Sequence, residues 1–190
     1  MMMTDRIRNL RSFLLAHRHH AFRRDIDWDL AQDFSRRNLT PLQRVSAAFR
    51  EVLEAETPVF LPGERIVFTR TVRQLPELYT ATEWQRMRQE HSFAEKGVVF
   101  NLCCDFATTI ATGLEARRAE VEARLAQGGP GTEFLTAALA SIDAVIGLAE
   151  RYRRAALEAG LAETAQLLEK VPRHPAETFR EALQFLRILH

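Results

Sequence analysis

From Val171 to His190 the chain reads V-P-R-H-P-A-E-T-F-R-E-A-L-Q-F-L-R-I-L-H, and no other stretch limits the fold so sharply. Pro175 suits a first helical turn, and Phe179, Ala182, Leu183, Leu186 and Leu189 then recur at steps of three and four residues. That spacing makes a helix with an apolar stripe, and a helix this short is stable only when such a stripe is covered. No Gly, Asn or Pro follows the Ile188-Leu189 pair to cap the last carbonyls. We therefore expect residues 1–190 to be the front of something larger, with the stripe awaiting a partner. The alternative is an ordinary terminal helix that frays.

The rest of the composition is compatible with one core. The chain has 190 residues, 46% of them hydrophobic, which suits a single domain. Its 26 basic residues against 25 acidic ones leave a net charge of +1, so it lacks the basic excess that a phosphate backbone demands. No nucleic-acid partner is expected. Cys103 and Cys104 are the two cysteines, and being adjacent they cannot staple distant segments. The Phe13–Ala16 run is too brief for a signal-peptide core, and Phe134 to Ala149, interrupted by Thr136, Ser141 and Asp143, is shorter than the ~20 residues that span a bilayer. These features lead us to expect a cytoplasmic protein with no membrane partner, its most apolar segment a buried helix.

Along the chain the pattern is mainly α. Helices are expected over 5–20 and 41–56, the second started by Pro41 with Thr40 and Gln43 as a capping box. Asp25 to Asp29 and Phe34 suggest a loop held down by aromatics. Pro58-Val59-Phe60-Leu61, a Pro62-Gly63 turn and Arg65-Ile66-Val67-Phe68-Thr69 read as one short β-like hairpin near 57–70. A second capping box, Thr80 with Glu83, opens a helix to about Glu95, and Gly97 breaks it. A long helix from about Asp105 to Gln127 follows. Gly128-Gly129-Pro130-Gly131 then turns the chain into a helix capped by Thr132, and the two should form an antiparallel hairpin. A short helix over 161–170 and the terminal one complete the list.

The residues by themselves offer little chemistry. Cys103 and Cys104, beside Asp105 at a helix N-terminus, are placed for thiolate activation, but small buried packing residues are the better reading. His17 and His20 share a helical face with His19 nearby, yet no carboxylate or thiol sits at helical spacing there, so a solvated helix end is expected and no metal ligands are assigned. There is no Gly-rich phosphate loop, nucleophile elbow or metalloprotease motif.

Three blocks carry more. They are Pro62 to Thr71; Glu83-Trp84 through His91, Gly97, Asn101, Asp105-Phe106 and Gly113-Leu114; and the terminal Val171-Pro172 to Gln184 run. Together these resemble the N-terminal region of the glycyl radical enzymes, the pyruvate formate-lyase-like superfamily, over roughly residues 57–190. The resemblance implies a helical segment of what would be an α/β ten-stranded barrel enzyme of lyase, dehydratase or acyltransferase type, active in anaerobic metabolism. It implies a protein-borne glycyl radical installed by a radical-SAM activating enzyme, a homodimer at full length and a small-molecule substrate.

The same resemblance says what is missing. None of the eight glycines lies in an Arg-Val-x-Gly loop, and Cys103-Cys104 falls in a front-of-chain motif, not in the family's central cysteine loop. No catalytic residue is therefore assigned, and the segment alone is expected to be inert. The substrate-binding candidates are Asn101 and Asp105, in the loop from Gly97 to Phe106 that the family sends to the substrate pocket. In the resemblance, Asn101 stands where pyruvate formate-lyases place an Arg that pairs with the substrate carboxylate and where some diol dehydratases place a His. A neutral amide cannot make that ion pair, which favours a neutral or cationic substrate. Asp105 can bond a hydroxyl or an ammonium-like group, or cap its helix, or both. A freestanding, non-catalytic helical interaction or regulatory module is the rival reading.

Overall fold

The computed structural model describes residues 3–92 and 104–190, and among them it is helical with no β-strand. The N-terminal helix α1 (Asp5–Leu15) is shorter than expected, because His17 takes a left-handed turn and Arg18–Phe22 continues as a 3-10 helix. Helix α2 (Leu30–Arg36) follows the aromatic loop and buries Phe34. In α3 (Pro41–Ala55) the Thr40–Gln43 capping box forms as expected. The second box, Thr80 with Glu83, opens α4 (Ala81–Gln89); the expected end near Glu95 and the break at Gly97 lie outside the described residues.

The hairpin expected near 57–70 is not present. Its two halves form no strand pair, and in the second half Val67 is held instead by the side chain of Gln184. Val67 donates its N–H to Gln184 Oε1 at 2.8 Å and accepts at its carbonyl from Gln184 Nε2 at 3.0 Å. The Glu56 carboxylate accepts from the Thr71 N–H at 2.6 Å, the Thr71 hydroxyl at 2.7 Å and the Val72 N–H at 3.2 Å. A buried extended segment must satisfy its backbone groups somehow, and here single side chains replace a neighbouring strand. The one bridge of β type among the described residues joins Arg24 to Val72.

The long helix expected from Asp105 is two, α5 (Phe106–Thr112) and α6 (Leu114–Gln127), divided at Gly113 with φ of 84°. The glycine-rich linker ends α6 as expected, but Gly131 rather than Thr132 is the N-cap of α7 (Thr132–Glu158). The Thr132 hydroxyl turns back to donate to the Gly129 carbonyl at 2.8 Å. Helix α8 (Ala162–Lys170) precedes α9 (Phe179–Leu189), which opens four residues later than Pro175 because Thr178 and Glu181 form a third capping box.

At 27 residues and a mean hydropathy of 1.5 over its most apolar window, α7 is long and apolar enough to cross a membrane on length and composition alone. Here it is the central post of the bundle. Helices α3, α6 and α8 pack along it, and its C-terminal half is the core: Ile146, Leu148, Ala149, Tyr152 and Ala156 are all buried. Its N-terminal half is less covered than the sequence suggests, with Phe134 60% exposed. Tyr152 sits edge-on to Phe60 with ring centroids 5.8 Å apart, lies 5.4 Å from Phe68, and donates to the Thr69 carbonyl. Burying each such large side chain is worth roughly 1.5–3 kcal/mol.

Candidate functional site

Asp105 is the N-cap of α5. Its carboxylate accepts from the Thr108 N–H at 3.0 Å, and the Thr109 hydroxyl donates to its carbonyl at 3.1 Å. Hydrogen bonds from the Thr108 hydroxyl and amide hold the carboxyl below its usual range. The capping role is thus drawn directly, and the residue is exposed. Asn101 and Cys103 lie outside the described residues. Cys104 is exposed, which corrects the expectation of a packed thiol: it precedes the cap, and its carbonyl receives the Phe106 N–H at 2.8 Å.

What holds the loop's downstream end is a tight joint. With Gly113 in a left-handed conformation, the first two amides of α6 point at the segment before α9: Leu114 N–H donates to the Pro172 carbonyl at 2.9 Å and Glu115 N–H to the Arg173 carbonyl at 3.0 Å. These are helix-start donors with no intrahelical acceptor, so the joint completes them. Ala176 N–H returns a bond to the Ile110 carbonyl at 3.0 Å, and Arg173 pairs with Glu115 at 2.9 Å. A Cβ at Gly113 would lie 2.4 Å from the Arg173 carbonyl oxygen. Beneath the joint Leu114, Ile146, Leu167, Val171 and Phe185 form a small core.

The terminal block is therefore a hub. Through Gln184 it clamps the first block at Val67, and through Pro172 and Arg173 it seats the second at Gly113-Leu114. Glu56, 1% exposed in its side chain, fixes the rest of the first block and also pairs with Arg70 at 2.7 Å. Neither Gln184 nor Glu56 was legible in the sequence. Gln184 lies opposite the apolar stripe, where a polar residue reads as solvated, and Glu56 follows a helix like any surface acid.

Electrostatics elsewhere are structural. Buried Arg44 donates to the Glu83 carboxylate through Nη1 at 3.1 Å and Nη2 at 2.7 Å, donates to the Leu39 and Leu78 carbonyls, and lies 4.7 Å over the Tyr79 ring. The Arg44 guanidinium pulls the Glu83 carboxyl down to about 2. Burial pushes the Tyr152 hydroxyl up to about 12. A polar cleft of about 720 Å³ between α8 and α9 holds Lys170, but Glu177 at 2.6 Å and Glu181 at 3.0 Å already pair with that ammonium. The His17, His19 and His20 rings stand 4.3, 5.0 and 6.2 Å apart, and desolvation followed by Arg23 lowers His19 and His20. Among the described residues no group of three potential ligands converges for a metal.

The terminal block thus touches the first block at Val67 and the end of the second at Leu114. The model of the pyruvate formate lyase-like family matches residues 69–190, and the chain belongs to that family. The glycerol-bound form of the B12-independent glycerol dehydratase from Clostridium butyricum has the same fold over 100% of this chain and 34% of its own, with a TM-score of 0.75 at 17% identity. A structure of 1,2-propanediol dehydration in Roseburia inulinivorans matches with a TM-score of 0.71 at 19% identity, over 100% of this chain and 33% of its own. The chain thus spans about a third of the length of these solved relatives. No curated protein matches it.

Proposed function

We propose that this chain is the helical scaffold segment of a glycyl radical enzyme of dehydratase or lyase type, and that it contributes one substrate-pocket loop. The observation that carries the reading is the family match over residues 69–190, which spans the joint and the terminal hub. The radical glycine and catalytic cysteine belong to the part of the fold this segment does not include, where a radical-SAM activase installs the radical. The full enzyme is a cytoplasmic homodimer of anaerobic metabolism, and the 190-residue segment alone is inert.

A small neutral polyol is the substrate class we favour. Two features support it: an amide at Asn101 cannot pair with a carboxylate, and the solved relatives are named for glycerol and for 1,2-propanediol. In this reading Asn101 and Asp105 receive substrate hydroxyls, while Thr108 keeps Asp105 at the head of α5. The test takes the polypeptide that carries these residues together with the remaining two thirds of the fold, activated without oxygen. An electron paramagnetic resonance signal from a glycyl radical and conversion of glycerol or 1,2-propanediol to an aldehyde are expected. Cleavage of pyruvate, or no radical after activation, overturns the reading.

The freestanding module has one observation in its favour: the Tyr152 core gathers buried residues from α3, the 67–68 segment, α7, α8 and α9. Cooperative unfolding of a monodisperse 190-residue protein is the outcome it predicts.

A further inference from the structure

Helix α5 is anchored at one end. It has seven residues and buries none of them, and a helix that short is marginal on its own. The anchors lie at its C-terminal end. The Ile110 carbonyl accepts from the Ala176 N–H at 3.0 Å, Ile110 packs on the small core beneath the joint, and just past the helix the Leu114 and Glu115 amides reach Pro172 and Arg173. At the other end Asp105 bonds to Thr108 and Thr109 of its own helix, so its carboxylate goes wherever α5 goes. From Asp105 to Gly113 the helical rise spans about 12 Å, and a tilt of about 5° at the joint therefore carries the carboxylate through about 1 Å.

The joint admits little tilt. Gly113 is buried, and a Cβ on it would lie 2.4 Å from the Arg173 carbonyl oxygen and 2.8 Å from the His174 Cα, so two backbones meet with no side chain between them. The segment facing Gly113 has no room to retreat, because Val171 and Pro172 are themselves fully buried. Helix α6 is pinned as well, by Leu114 in the small core and by its packing along α7. A larger residue at 113 therefore displaces α5, the one element at the joint with no buried side chain. We propose that Gly113 is a positioning residue of the substrate site: by meeting the Arg173 backbone it sets the direction in which α5 carries Asp105. The proposal rests on the reading of Asp105 as a hydroxyl contact and identifies what aims it.

The test is a double-mutant cycle in the full-length enzyme, activated without oxygen and supplied with glycerol at varied concentration. Gly113→Ala should raise KM about ten-fold or more with the glycyl radical signal unchanged, since a misplacement of about 1 Å is enough for an effect of that size. Asp105→Ser keeps a capping hydroxyl and drops the second carboxylate oxygen, and it should raise KM by a similar factor. The double variant should exceed Asp105→Ser by less than about two-fold, because residues acting through one another are not additive. Should Gly113→Ala yield no folded protein, Ala176→Pro takes its place in the same cycle, removing the donor to Ile110 and adding nothing against Gly113. Effects that multiply in the double variant, or an unchanged KM in Gly113→Ala, overturn the proposal and leave Gly113 a joint of structure alone. An unchanged KM in Asp105→Ser overturns it by another route, taking Asp105 out of the pocket. Failure of the scaffold reading shows separately, as no radical or no aldehyde from the unsubstituted enzyme, and takes this proposal with it.

Discussion

Three side chains do work in this molecule that their neighbours cannot share. Gln184 is fully buried and meets both polar groups of Val67, so it stands in for a strand. Replacing it by Ala leaves an N–H and a carbonyl unsatisfied, and each such orphan costs about 1–3 kcal/mol. A Gln184→Ala chain should unfold about 2–5 kcal/mol less stably in urea, and Gln184→Glu should recover part of the loss only at acidic pH, where a protonated carboxyl can donate to the Val67 carbonyl. Glu83 sets a pH dependence. Its carboxyl falls from the usual 4.5 to about 2 in the folded chain, so the folded state binds the proton less readily than the unfolded one. The stability this contributes, on the order of 3 kcal/mol, is complete above the unfolded value and disappears as pH falls from about 5 toward 2. Urea midpoints measured across that window should drop less in Glu83→Gln than in the native chain, and the variant starts lower because Arg44 stays buried with less to pair with. Glu56 is the third, and its loss should free the 69–72 segment.

The elements show where local rules suffice and where they do not. Three capping boxes and the glycine-rich linker set helix starts and stops by contacts within a few residues, and those at Thr40 and Thr80 were legible from spacing. Thr178 with Glu181 obeys the same rule, but Pro175 offers an earlier start by equally local signals. The joint at Gly113 is different in kind. A helix-breaking glycine amid Thr112, Leu114 and Glu115 looks like a tolerated defect until the Pro172 and Arg173 carbonyls are seen receiving the amides it exposes. Gly113→Ala forces a Cβ into the Arg173 carbonyl at a φ that L-residues rarely adopt. The expected result is loss of hydrogen-exchange protection at Leu114, Glu115 and Ala176, with α7 unaffected. Undiminished protection at those three amides would show that the joint is not held by this glycine. The missing hairpin has the same origin, since its extended residues read as strand while their partners lie 117 positions away in the case of Val67 and Gln184.

At the scale of the whole molecule the apolar stripe of α9 is the test of the sequence reading. Gln184, Phe185 and Ile188 are buried, so the helix is anchored by a face the periodicity did not single out. The stripe itself stays largely bare: Phe179 is 80% exposed, and Leu183 and Leu186 are exposed too. The 190-residue chain in isolation should therefore self-associate with rising concentration and bind an apolar dye. Phe179→Ser with Leu186→Ser should reduce both, as read by light scattering and dye fluorescence. Length, composition, helix periodicity, capping pairs and the family resemblance were all determined by the sequence, because each depends on residue identity over a few turns or on a motif. Which face of α9 is buried, what replaces the hairpin and how Gly113 meets Arg173 were decided only by the tertiary structure. Each depends on a contact between residues far apart in the chain, and no local pattern records that partner.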